Sequence, residues 1–82
     1  MRYDVAFTQA ALEQVRALPK PVRAQIGRRI TQLQDDLRGD VRKLSARENA
    51  YRLRVGSHRV LFRLDRNVIQ VYAVKDRKNA YE

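Results

Sequence analysis

The segment from Tyr51 to Val74 constrains the fold most, because apolar and polar residues alternate through three runs separated by two short breaks: YRLRV, Gly56-Ser57, HRVLFRLD, Arg66-Asn67 and VIQVYAV. A period of two marks strands with one buried face, and Gly-Ser between two such runs marks a tight hairpin. With Gly56-Ser57 as a two-residue turn, Val55 pairs with His58, Arg54 with Arg59, Leu53 with Val60, Arg52 with Leu61 and Tyr51 with Phe62. Directly opposed residues share a face. One face therefore holds Tyr51, Leu53, Val55, Val60, Phe62 and Leu64, and the other holds Arg52, Arg54, Arg59 and Arg63. With Arg66-Asn67 as the second turn, Ile69, Val71 and Ala73 join the apolar face, whereas Gln70, Tyr72 and Val74 join the arginines. His58 falls at the hairpin corner, on the apolar side by parity.

The N-terminal half supplies the layer that covers this sheet. Residues 2–7 alternate Tyr3, Val5 and Phe7 against Arg2, Asp4 and Ala6, as a half-buried strand does. Thr8 is a helix cap, Ala11, Leu12, Val15 and Leu18 form one stripe, and Pro19-Lys20-Pro21 ends that helix. Pro21 suits the first turn of a second helix, along which Val22, Ile26, Ile30, Leu33 and Leu37 recur at helical spacing until Gly39 stops it. Val41 to Leu44 reads as a short strand before the polar stretch 45–49. The expected fold is α+β: an N-terminal strand, two helices, then a three- to four-stranded antiparallel sheet with both helices on one face.

A chain of 82 residues is one domain, 1–82, with a core too small to enclose a sizeable ligand. Any working site is then a surface, which favours a polymer or a protein over a buried metabolite. The absence of cysteine excludes disulfides, thiolate metal sites and cysteine nucleophiles. A single histidine argues against a protein metal site. Arg2, Asp4 and Glu13 interrupt the N-terminus, so it lacks the apolar core of a signal peptide, and no run approaches the roughly 20 apolar residues of a membrane span. A cytoplasmic location is expected.

Net charge is +9, and it is unevenly placed: residues 1–41 carry 7 basic and 5 acidic side chains, residues 42–82 carry 11 and 4. Fourteen of the 18 basic residues are arginine, the side chain whose fork matches phosphate oxygens. Arg54 opposite Arg59 is a like-charge pair that sheet energetics disfavour unless an anion lies between them. A solvated basic surface that discourages edge aggregation is the alternative explanation.

Two runs carry a specific resemblance: Tyr51-Arg52-Leu53-Arg54-Val55-Gly56-Ser57-His58-Arg59-Val60-Leu61-Phe62, and Val74-Lys75-Asp76-Arg77-Lys78-Asn79-Ala80-Tyr81. Together they resemble the signature of the RelE/ParE toxin superfamily of type II toxin-antitoxin systems, closer to the RelE branch. The resemblance implies a RelE-like microbial RNase fold and a ribosome-dependent endoribonuclease that cuts mRNA in the ribosomal A site without metal or small-molecule cofactor. It implies that Arg52 and Arg54 replace the two basic residues of the family's central strand and that Arg59 holds the scissile phosphate. Arg77 would stabilise the transition state or protonate the leaving 5′-oxygen, and Tyr81 would deprotonate the attacking 2′-hydroxyl. Arg63, Lys75 and Lys78 join Arg52 and Arg54 as RNA contacts. Asp76 stands where many relatives carry a basic or neutral residue.

A cognate antitoxin protein is the implied partner, alongside mRNA on the ribosome. Two other functions fit the same charge: a ParE-like inhibitor of DNA gyrase that cleaves no RNA, and a nucleic-acid binder without chemistry.

Overall fold

The computed structural model describes residues 2–76. Its elements are β1 (Asp4–Phe7), α1 (Gln9–Arg16), α2 (Lys20–Leu33), β2 (Val41–Ser45), β3 (Ala50–Val55), β4 (His58–Asp65) and β5 (Val68–Asp76). They build an α+β fold on one five-stranded sheet, ordered β1-β5-β4-β3-β2. The β2-β3-β4-β5 meander is antiparallel, whereas β1 runs parallel to β5 at the far edge. The N-terminal strand, the two helices and the four-stranded antiparallel meander are as expected, and β1 completes the five strands by joining the meander's β5 edge. Helices α1 and α2 and strands β2, β3 and β4 lie between the two partners of this parallel pair in sequence.

Local chemistry sets the helix ends. The Thr8 hydroxyl accepts the Ala11 N–H at 3.2 Å and caps α1. Helix α2 begins without a side-chain cap, with Pro21 in its first turn, where a missing N–H costs nothing. It stops at Leu33 rather than running on to Leu37. The carbonyl of Gln34 accepts the Tyr3 N–H at 2.8 Å, the Gln34 side chain donates to the Tyr3 carbonyl at 2.9 Å, and Asp36 and Leu37 both turn to positive φ. Pairing with the start of the chain thus replaces the last helical turn. Leu37 still packs against the core, from a left-handed conformation.

The core lies between the helices and one face of the sheet. Ala11, Ile26, Ile30 and Leu33 meet Leu53, Val55, Val60, Phe62, Ile69, Val71 and Val74. The Tyr51 and Phe62 rings stack across β3 and β4 with centroids 5.4 Å apart. Each fully buried residue of this kind contributes about 1.5–3 kcal/mol of hydrophobic stabilisation. Tyr3 and Val5 pack against the cluster as their alternation implies, but Phe7 is 37% exposed. As the last residue of an edge strand, it has a strand neighbour on one side only.

A β-bulge in β5 corrects the expected facing of two residues. Phe62 pairs with Val71, yet Leu61 pairs with Ala73, so Tyr72 is an extra residue in the ladder. Beyond it the parity reverses. Val74 enters the core and Ala73 turns to the opposite face, the reverse of the simple alternation. Helix α1 secures the irregularity: Gln14 Oε1 accepts the Val74 N–H at 2.6 Å, and the Thr8 hydroxyl donates to the Tyr72 carbonyl at 3.4 Å. Among the described residues no helix is long and apolar enough to cross a membrane.

Candidate nucleic-acid interface

The face of the sheet turned away from the helices is organised in three cross-strand rows. The first, at the β3–β4 turn, is cationic: Arg54 opposes Arg59, which opposes Lys75. The bulge sets the third member, because the parity reversal after Tyr72 carries Lys75 to this face. With neighbouring strands about 4.8 Å apart, three cationic side chains start from a strip roughly 10 Å wide. Gly56 forms the turn with φ of 58°, and a shallow depression of ≈ 120 Å³ opens there, lined by Arg54, Gly56, Ser57, His58 and Arg59. Half-buried His58, placed with the core by parity, therefore borders this depression.

The second row is Arg52, Leu61 and Ala73, and it is buried. Arg52 was expected on the exposed surface as an RNA contact, but only 6% of it is accessible. Its Nη1 donates to the Asp40 carbonyl at 3.2 Å and lies 3.5 Å from Asp40 Oδ1. Burial of a guanidinium demands such a partner. The same carboxylate reaches Arg54, whose Nε is 3.9 Å from Oδ2, and the Asp40 carbonyl also accepts the Arg54 backbone N–H at 3.0 Å. Arg54 remains half exposed. Gly39 allows this approach: its φ is 132°, and a Cβ there would lie 2.8 Å from Leu53 Cδ1.

The third row holds Arg63 opposite Ala50 and Gln70. Arg63 sits over the Tyr72 ring, 4.3 Å from its centroid, and its Nη2 donates to Glu48 Oε1 at 3.3 Å.

Of the expected site residues, then, Arg54, Arg59 and Lys75 fall in one row, Arg63 lies four residues along β4 from Arg59, and Arg52 is beneath the surface. Arg77, Lys78 and Tyr81 lie outside the described residues. Asp40 and Glu48, which the sequence reading passed over, each pair with an arginine of this face. The available signal for Asp40 was an acidic residue directly after a glycine in an otherwise basic region. Among the described residues no group of three or more His, Asp or Glu side chains is placed to hold a metal ion.

This architecture is shared with known proteins. A family model described as the ParE toxin of type II toxin-antitoxin system, parDE, matches residues 5–81. No curated protein sequence matches the chain. Among solved structures, the archaeal RelE-RelB complex from Pyrococcus horikoshii is similar with a TM-score of 0.79 and 25% identity, over 98% of this chain and 100% of that one. The RelB-RelE antitoxin-toxin complex from Methanococcus jannaschii gives 0.76 and 25%, over 92% and 93%. A double mutant of the E. coli toxin RelE in the free state gives 0.83 at 23%, over 98% and 88%, a likeness of fold. The chain belongs to the ParE toxin family, within the RelE/ParE superfamily of type II toxin-antitoxin toxins.

Proposed function

We propose that this toxin is an endoribonuclease that cuts mRNA on the ribosome and so stops translation in the cytoplasm. The observation that carries the proposal is the row of Arg54, Arg59 and Lys75, three cationic side chains side by side on the face that the helices leave uncovered. Such a row suits a phosphodiester, and guanidinium forks aimed at it are preorganised for the charge that builds on phosphorus during in-line attack.

In the proposed reaction the 2′-hydroxyl attacks the adjacent phosphorus while Tyr81, in its phenolate form, accepts its proton. The bond to the 5′-oxygen breaks, and that oxygen takes a proton from Arg77 or, where Arg77 only stabilises charge, from water, and leaves as a free hydroxyl. The other product is a 2′,3′-cyclic phosphate. Arg59 holds the phosphate, Arg54 neutralises it from the opposite strand, and Arg77 stabilises the phosphorane or protonates the leaving oxygen. Lys75 and Lys78 guide the RNA. Buried Arg52 acts by supporting β3 and Asp40 rather than by touching the nucleotide. None of these roles requires a metal or a cofactor.

The partner that restrains this activity is a cognate antitoxin, as the RelB-RelE complexes among the similar structures suggest. An acidic or amphipathic antitoxin segment is complementary to the cationic row and would silence it by covering it.

A second function is favoured by one specific observation, the match to a family described by its ParE member: contact with DNA gyrase and no RNA cleavage. The two separate in one experiment. Purified toxin is given ribosome-bound mRNA and, separately, gyrase with supercoiled DNA. Truncated mRNA with unchanged gyrase products is expected; intact mRNA with disturbed gyrase products would replace the nuclease proposal with the second one.

A further inference from the structure

The Arg63, Tyr72 and Glu48 constellation has no role in the proposed phosphate grip, yet it holds a guanidinium in place on the same face. The Tyr72 ring lies beneath Arg63 at 4.3 Å, and Glu48 holds its edge through a 3.3 Å hydrogen bond to Nη2. Tyr72 is itself fixed, because it is the bulge residue and its carbonyl accepts the Thr8 hydroxyl. Arg63 nevertheless keeps 45% of its side-chain surface exposed, so the side chain stays accessible to a ligand. A flat cation over an aromatic ring is the kind of surface on which a nucleobase stacks. Bases in a duplex are already stacked, so the fitting ligand is single-stranded. Arg59 and Arg63 are separated by about 13 Å along β4 at the usual strand rise.

We propose that Arg63, seated over the Tyr72 ring and held by Glu48, is a stacking platform for one unpaired base of the RNA strand whose phosphate Arg54 and Arg59 hold. This inference rests on the nucleic-acid reading of the face, though not on cleavage. Arg63 would then grip a base, whereas Arg54 and Arg59 grip the backbone.

The test uses the purified full chain and a short fluorescent RNA, 2′-O-methylated throughout so that it has no hydroxyl to attack, with a single abasic position moved along it. Wild-type affinity is expected to fall about tenfold at one abasic position and little at the others, within the range for stacking of one base. Arg63→Lys keeps the charge and loses the plane; Tyr72→Leu keeps bulk and loses the ring. Both are expected to bind about tenfold more weakly and to lose the sensitivity to the abasic position, with an unchanged salt slope for Arg63→Lys. Circular dichroism confirms that each variant is folded. Equal penalties at every abasic position, retained sensitivity in Arg63→Lys, or no RNA binding by the wild type would each overturn the platform. If the positional penalty appears but unmodified mRNA on ribosomes stays intact, the nuclease proposal fails and the platform stands.

Discussion

The Arg52 guanidinium lies buried on the sheet face opposite the helices, with Nη1 3.5 Å from the Asp40 carboxylate and 3.2 Å from the Asp40 carbonyl oxygen. A single acidic residue, reached across 12 positions of sequence, thus compensates the one charged side chain that is buried among the described residues. Removing Asp40 leaves the buried Arg52 charge with neither water nor counter-ion, whereas removing Arg52 leaves an Asp40 that water still reaches.

Asp40→Ala is therefore expected to destabilise the protein by about 1–3 kcal/mol, less than for a fully buried pair because Asp40 is itself half exposed. Arg52→Met, which removes the buried charge and leaves an acid able to return to water, is expected to cost less. Urea denaturation midpoints of the two variants check the order; a larger loss for Arg52→Met would show that the guanidinium contributes more than its pairing.

Arg54→Thr is expected to leave stability within about 0.5 kcal/mol of the wild type. It relieves a like-charge cross-strand pair and gives up only an exposed contact to Asp40, two small effects of opposite sign. In the proposed mechanism the same substitution removes a cation aimed at the phosphorane, and the cleavage rate is expected to fall on the order of a hundredfold. Thermal unfolding read beside growth arrest on induction separates the two. A variant that is both stable and fully toxic would remove Arg54 from the site.

Gly39→Ala is expected to cost about 1–3 kcal/mol, since φ of 132° is backbone that L side chains rarely adopt and the new methyl meets Leu53 Cδ1. Because Gly39 precedes Asp40, binding of RNA is expected to weaken with it. Comparing melting temperature and RNA affinity of this variant with Asp40→Ala checks the link.

Val74→Ala is expected to cost about 2 kcal/mol as a core truncation. Ala73→Ser, buried on the other face of the sheet beside Leu61, is expected to cost about 1 kcal/mol through its hydroxyl, less than the core truncation. The reverse order of denaturation midpoints would mean that β5 continues without its bulge.

These particular residues mark how far the sequence could be read. The hairpin register from Ala50 to Arg63 follows from local facts, a Gly-Ser turn and a period of two, and all five cross-strand pairs expected around it occur. The bulge at Tyr72 has no local signature of comparable strength. It is held by Thr8 and Gln14, some 60 residues earlier in the chain. The early end of α2 is likewise decided by Tyr3 bonding Gln34, and the parallel β1–β5 pair by the closure of the whole domain. Arg54, Arg59 and Arg63 were legible as one face because alternation alone puts them there. That Arg52 lies under the surface depends on a loop that Gly39 lets close over it, a tertiary contact that alternation does not encode.

The central claim is that the cationic row acts on RNA, and mapping the 5′ ends of transcripts after a brief pulse of toxin expression tests it most directly. New 5′-hydroxyl ends are expected inside translated reading frames, at a constant position within codons, and they disappear in Arg59→Ala and in Tyr81→Phe. Growth arrest with no new transcript ends, or with ends that persist unchanged in both variants, would contradict it.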